Sequence, residues 1–206
     1  MHHDFEMLPE EFAARCVVTA PRIPDWRGEY ASRPLRGMEK RNVGGARSTA
    51  GYVALVAQQT EDQFYIEATP YWQRPHRTLD LRDTSTSLHL KAITPIKTNH
   101  GYRPYLFIAH YDEPSDTFCG WYYRQELIAG EEWTLNELEL RNDENLWTRY
   151  TTDLRYTQPR RLDVVLGNVG FIGVMYLRDT DFTGVGATGI LGLDEFRYGF
   201  SLEKER

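Results

Sequence analysis

Between Tyr102 and Leu140 the chain reads YRPYLFIAHYDEPSDTFCGWYYRQELIAGEEWTLNELEL, and its apolar residues recur at every second position. Leu106 and Ile108 share a parity with His110, Phe107 and Ala109 share the other with Tyr111, and Trp121, Tyr123 and Gln125 alternate with Tyr122, Arg124 and Glu126. An amphipathic helix would place apolar residues three and four apart. A spacing of two, interrupted by turn-forming residues, predicts adjacent antiparallel strands that each bury one face. Asn136 to Leu140 is read as closing a hairpin begun at Gly130, with the GEEW turn solvated and Trp133 packed in the core.

The rest of the chain continues in the same style. GYVALVA from Gly51 and QFYIEAT from Gln63 read as paired strands around the turn QQTED. Leu79 and Leu81 alternate with Asp80 and Arg82, and Leu88 and Leu90 alternate with His89 and Lys91. Leu162 to Leu166 and Val169 to Leu177 are apolar enough to read as strands, and ILGLDEFRYGF from Ile190 as the closing one. Trp147 and Tyr150 read as anchors of an otherwise polar stretch. Near the start, Val17–Val18 reads as a short marginal strand, with a helical turn at PEEFAAR as an alternative. From Pro21 to Arg47 the chain carries several Pro, Gly and Arg residues without periodicity, which predicts a long irregular loop at about 21–47. There is no internal repeat or linker composition, so residues 1–206 are expected to form a single domain.

Composition narrows the function. A net charge of −6 and the lack of a basic run argue against nucleic acid as a partner, because a phosphate backbone rewards clustered Lys and Arg. No apolar run approaches the roughly 20 residues that a bilayer core requires, so no membrane partner is expected, and MHHDFEML lacks a signal-peptide core. Two cysteines, Cys16 and Cys119, are too few for a disulfide framework and wrongly spaced for zinc, which leaves open one bridge between them. Cys119 beside Trp121 reads as a buried small hydrophobe rather than a nucleophile. The glycine-rich TGVGATG is followed by neither a helix pattern nor a Lys-Ser/Thr pair, so it is no phosphate loop.

The order DFE, LDLRD, GWYY, GEEWTLNELEL, GNVGFIGV, GILGLDEFRYG resembles the jelly-roll β-sandwiches of the galactose-binding-domain-like group, which includes many carbohydrate-binding modules. The resemblance spans most of residues 4–200 and implies an all-β jelly-roll sandwich of two antiparallel sheets. It also implies a structural calcium ion tying the first strand to the last, carried over here to Glu6 and Asp194. Calcium takes roughly six to eight oxygens, so two carboxylates with backbone carbonyls would suit it. Glu195 stands where the group often has Asn.

Sugar recognition needs flat aromatic faces and hydrogen-bonding groups aimed at hydroxyls. Tyr122 and Arg124 are expected to face outward, since burying Arg124 unpaired would cost several kcal/mol. His89 and Lys91 fall opposite the leucines of their strand. His110 shares the parity of Leu106, so only a bulge or strand end would free it. With Trp72, these residues are expected to form a basic, aromatic patch for a polysaccharide or oligosaccharide. A non-catalytic carbohydrate-binding module, standing alone or within a larger multidomain protein, is the leading expectation, and such a glycan binder would be extracellular or periplasmic. The alternatives are a lyase acting on an acidic polysaccharide through a His/Tyr/Arg cluster, and a structural or assembly sandwich.

Overall fold

The computed structural model describes residues 2–3, 38–41, 43–47, 51–58, 65–68, 78–112, 117–150, 160–178 and 186–201. The chain is an all-β sandwich. Its strands are β1 (His2–His3), β2 (Met38–Arg41), β3 (Tyr52–Gln58), β4 (Tyr65–Ala68), β5 (Thr84–Lys97), β6 (Arg103–Asp112), β7 (Thr117–Glu126), β8 (Thr134–Leu140), β9 (Trp147–Tyr150), β10 (Phe171–Leu177) and β11 (Thr188–Ser201). One sheet has the order β2-β3-β11-β5-β8, with β1 also paired to β11. The other has the order β4-β10-β6-β7-β9, and every pairing in both sheets is antiparallel. The chain crosses repeatedly from sheet to sheet, as it does from β3 to β4, β4 to β5 and β5 to β6, which is the winding of a jelly roll.

The alternation seen in the sequence builds the core. Leu88, Leu90, Leu138, Leu140, Leu191 and Leu193 come from one sheet, and Leu106, Ile108, Trp121, Tyr123, Ile172 and Val174 from the other, in one cluster of buried side chains. The β8 segment TLNELEL shows the period most plainly, with Asn136, Leu138 and Leu140 buried and Leu135, Glu137 and Glu139 exposed. By contrast β10, FIGVMYL, is buried at every position, so both faces of the five-stranded sheet are covered there.

Five expectations are corrected. Strands β3 and β4, expected to pair around QQTED, lie in opposite sheets, β3 between β2 and β11 and β4 beside β10. Strand β8 does not return beside β7: it pairs with β5 in the opposite sheet, and Leu127–Trp133 is a crossover rather than a hairpin turn. Alternation reports which face of a strand is buried but not which sheet the strand joins. Trp133 lies outside the core, its Nε1–H donating to the Gly44 carbonyl at 2.9 Å and its ring meeting Tyr52 edge-on at 5.2 Å. It packs over Gly192, where a Cβ would sit 2.9 Å from the indole. Leu162–Leu166 is a short α-helix, α1, because Leu162, Val165 and Leu166 are the buried residues and follow the three- and four-residue spacing of one helix face. Finally, the expected 21–47 loop contains β2, an edge strand on β3 whose MEKR sequence carries charge in place of apolar alternation, a common way of blunting a sheet edge. Residues 21–37 lie outside the described residues, as do Cys16 and Val17–Val18. Among the described residues no helix is long and apolar enough to cross a membrane.

Candidate functional site

The outer face of the five-stranded sheet is set by the register of three strands. Phe107 pairs with Tyr122 and Gly173, Tyr105 with Met175 and Glu126, and Tyr122 with Thr148. All have the parity opposite to the core residues Leu106, Ile108, Trp121 and Tyr123. The Tyr105 and Tyr122 rings meet at 5.3 Å with a tilt of 54°. Between Tyr122 and Glu126, β7 passes three residues while β6 passes one, and this bulge carries Arg124 to the rim. The Arg124 backbone N–H donates to the Leu146 carbonyl at 2.8 Å, and its Nε–H to the Thr148 hydroxyl at 2.9 Å. Its guanidinium is thereby oriented, is exposed, and makes no ion pair among the described residues. Arg103 and Glu126 form an exposed ion pair at 3.5 Å farther along the same two strands. This arrangement offers ring surface, hydroxyls and an aimed guanidinium on one face.

The predicted patch is divided between the two sides of the sandwich. Tyr122 and Arg124 share the face just described, as their parity requires. Arg124 is open, but Tyr122 is only 8% exposed: Phe107 pairs with it from β6 and the Tyr105 ring packs against it, and Phe171 and Met175, farther across the face on β10, are buried too. His89 and Lys91 lie on the outer face of the other sheet, opposite the core residues Leu88 and Leu90 of their own strand. Lys91 there faces Glu132 at 3.4 Å. His110 keeps the core-facing parity. It pairs with Cys119, and its Nδ1 lies 2.8 Å from the Asn168 carbonyl oxygen at the strand end, on the opposite side of the sheet from Tyr122. Trp72 and Glu6 lie outside the described residues. Tyr105 and Thr148 were missed by sequence reading, since only cross-strand register brings them to Tyr122 and Arg124.

Of the two implied calcium ligands, Asp194 is described. At Asp194 the last strand bulges away from its register with β5, and Glu195 takes a left-handed backbone conformation with φ 44°. Asp194 is fully buried. Its Oδ2 accepts the Ala46 N–H at 2.7 Å and its Oδ1 the Glu195 N–H at 2.8 Å. Glu195 is faced by Arg197 at 3.3 Å, Arg47 at 3.7 Å and His89 at 3.3 Å. Among the described residues these carboxylates meet N–H groups and guanidiniums, and Glu6, the other ligand that the resemblance implies, lies outside those residues. No three His, Cys, Asp or Glu side chains are grouped as metal ligands among the described residues.

Burial holds the His89 imidazole below its ordinary pKa, and the attraction of Glu195 offsets this only in part, because Arg47 and Arg197 oppose it. His89 is therefore neutral in the fold at pH 7, while the unfolded chain takes up a proton as the pH falls through about 6.5. The folded state binds fewer protons in that window, so stability is full above it and is lost as the pH falls. The melting temperature is expected to drop between about pH 7 and pH 5, and His89→Gln to flatten that drop; equal slopes in both proteins would contradict the assignment. Cys119 is a free, buried thiol, pushed up in pKa chiefly by that burial, and it behaves as a core side chain rather than a nucleophile.

Comparison with known proteins adds likenesses of fold. The family 11 carbohydrate-binding module of the cellulosomal cellulase Lic26A-Cel5E of Clostridium thermocellum aligns at a TM-score of 0.49 and 14% identity, over 82% of this chain and 85% of that one. The CBM22-1-GH10 modules of xylanase 10B from the same organism, complexed with xylohexaose, align at 0.47 and 13%, over 97% of this chain and 28% of that one. The L4b domain of human laminin alpha-2 aligns at 0.41 and 12%, over 72% and 79%. No family model and no curated protein matches. At these scores the likenesses carry no functional argument, and the jelly roll stands on its own strand register.

Proposed function

We propose that this chain is a non-catalytic carbohydrate-binding module whose ligand, a polysaccharide or oligosaccharide, lies at the rim of the outer face of the five-stranded sheet, against the half-buried Tyr105 and the exposed Arg124. The observation that supports this reading is the Tyr105–Tyr122 ring pair beside an exposed Arg124 held in place by Thr148. A pyranose presents C–H groups to an aromatic face and hydroxyls to fixed donors, and both kinds of partner meet here on neighbouring strands. Of the His/Tyr/Arg cluster that a lyase would use, Tyr122 and Arg124 share this face and His110 lies on the other side of the sheet.

Tyr105→Ala and Arg124→Ala test the reading in affinity gels against a panel of neutral and acidic polysaccharides. A hydrogen bond from a charged donor contributes roughly 1.5–3 kcal/mol, so Arg124→Ala is expected to weaken retention by about tenfold or more with little change in melting temperature. Tyr105→Ala, a half-buried ring, is expected to weaken it by a similar factor. Tyr122→Ala is the poorer probe, because its buried ring also supports the sheet. Retention unchanged in both Tyr105→Ala and Arg124→Ala would overturn the assignment of this face.

A further inference from the structure

At one end of the sandwich, beyond the rings just described, lies a cavity of about 550 Å³. Its walls are the C-terminal part of β5, the start of β6 and the Leu127–Ala129 crossover. They are pinned in place. The Leu127 N–H donates to the Pro104 carbonyl at 2.8 Å, the Ala92 N–H to Gly130 at 2.7 Å, and the Asn136 amide both accepts from and donates to the Ile128 backbone, at 2.7 and 3.0 Å. The volume falls within the few hundred to about 1,000 Å³ typical of preformed small-ligand sites. The lining is apolar at depth, with Tyr102, Tyr176 and Leu127 buried, and is charged at the mouth. Arg103 and Glu126 pair at the mouth, leaving Lys97, which makes no ion pair among the described residues, as an uncompensated cation. Behind them Arg178 lies 5.5 Å over the Tyr102 ring.

The buried lining residues Tyr102, Pro104 and Tyr176 keep the core-facing parity, so the cavity lies between the sheets at this end of the sandwich, while Arg103 and Glu126 at its rim share strands and parity with Tyr105 and Arg124 and carry the mouth to the edge of the glycan face. From this continuity and the excess positive charge we infer that the cavity receives a carboxylate-bearing sugar, a uronic acid unit at the end of the bound chain, with Lys97 and Arg103 on its carboxylate and its ring against the apolar walls. The inference rests on the carbohydrate-binding reading and narrows it to acidic glycans.

The test is titration of the full chain with glucuronate, galacturonate and glucose, followed by the shift of backbone amide signals at residues 97–103 and 126–129, for the natural protein and for Lys97→Glu. Lys97 is exposed, so the variant is expected to fold normally. At least one uronate is expected to bind, glucose to bind more weakly, and Lys97→Glu to lose uronate affinity by at least about tenfold, since like charges repel strongly across a cavity mouth. Uronate binding that ignores Lys97→Glu, equal binding of glucose, or no uronate binding at all would each overturn the proposal. If the uronate binds through Lys97 while Tyr105→Ala and Arg124→Ala leave polysaccharide retention intact, the sheet-face reading fails and the cavity stands.

Discussion

Asp194→Ala is expected to cost about 3 kcal/mol, lowering the melting temperature of a chain this size by roughly 10 °C. The side chain is fully buried and satisfies two backbone donors, one of them Ala46, which lies 148 positions away in sequence. Removing it strands both N–H groups in a site where water does not replace the carboxylate, and an unsatisfied buried donor costs roughly 1–3 kcal/mol. Asp194→Asn keeps one acceptor but points an NH2 group at the other N–H, so about half the loss is expected. Because the carboxylate acts on the backbone, the loss should be the same in excess calcium and in a chelator, and the chelator alone should leave the natural protein unmoved. A melting temperature of the natural protein that falls on chelation would place an ion at Asp194 instead.

Trp147→Ala is expected to be more damaging, about 4 kcal/mol, a large share of the roughly 5–15 kcal/mol that separates a folded domain from its unfolded chain. The indole is completely buried, meets Tyr123 edge-on at 5.0 Å and donates its Nε1–H to the Arg141 carbonyl at 3.0 Å. With Leu146 beside it, it fastens β9 and the turn before it to the core. Trp147→Phe restores most of the buried surface and loses only the N–H donor. Since Arg141 is exposed, water can solvate its carbonyl, and a loss nearer 1–2 kcal/mol is expected. The measurement is the denaturant midpoint of the three proteins. Equal losses for Ala and Phe would show that the hydrogen bond, not the packing, fastens the strand.

The parts of this fold that could be read in advance are those in which one strand carries its own evidence. Leu88 and Leu90 of β5, Leu138 and Leu140 of β8, and the core-facing parities of β6 and β7 are local patterns, and each lies in the core where alternation places it. What was not legible depends on partners. LDVVL has two β-branched residues and only five positions, too few for a helical period to separate from a buried strand. The crossover after Leu127 and the hairpin expected there have the same composition, and the choice is made by the pairing of β8 with β5. The same holds for the site. Arg124 faces outward, as the cost of burying an unpaired charge implies, whereas Tyr122 is on the outer face but not open, since Phe107 and Tyr105 come to it from the neighbouring strand β6. His89 and Lys91 looked like neighbours of Tyr122 in a one-dimensional list, and the sandwich sets them on opposite sides.

The most direct measurement of glycan binding at the outer face of the five-stranded sheet is retention of the natural protein and of Arg124→Ala in gels cast with neutral and acidic polysaccharides, with ultraviolet absorbance followed for unsaturated products. Retention on at least one acidic polysaccharide is expected, with loss of that retention in Arg124→Ala at unchanged melting temperature and no new absorbance. Absorbance that grows with time would make the chain a lyase, and free migration on every polysaccharide would contradict the claim that this face binds carbohydrate.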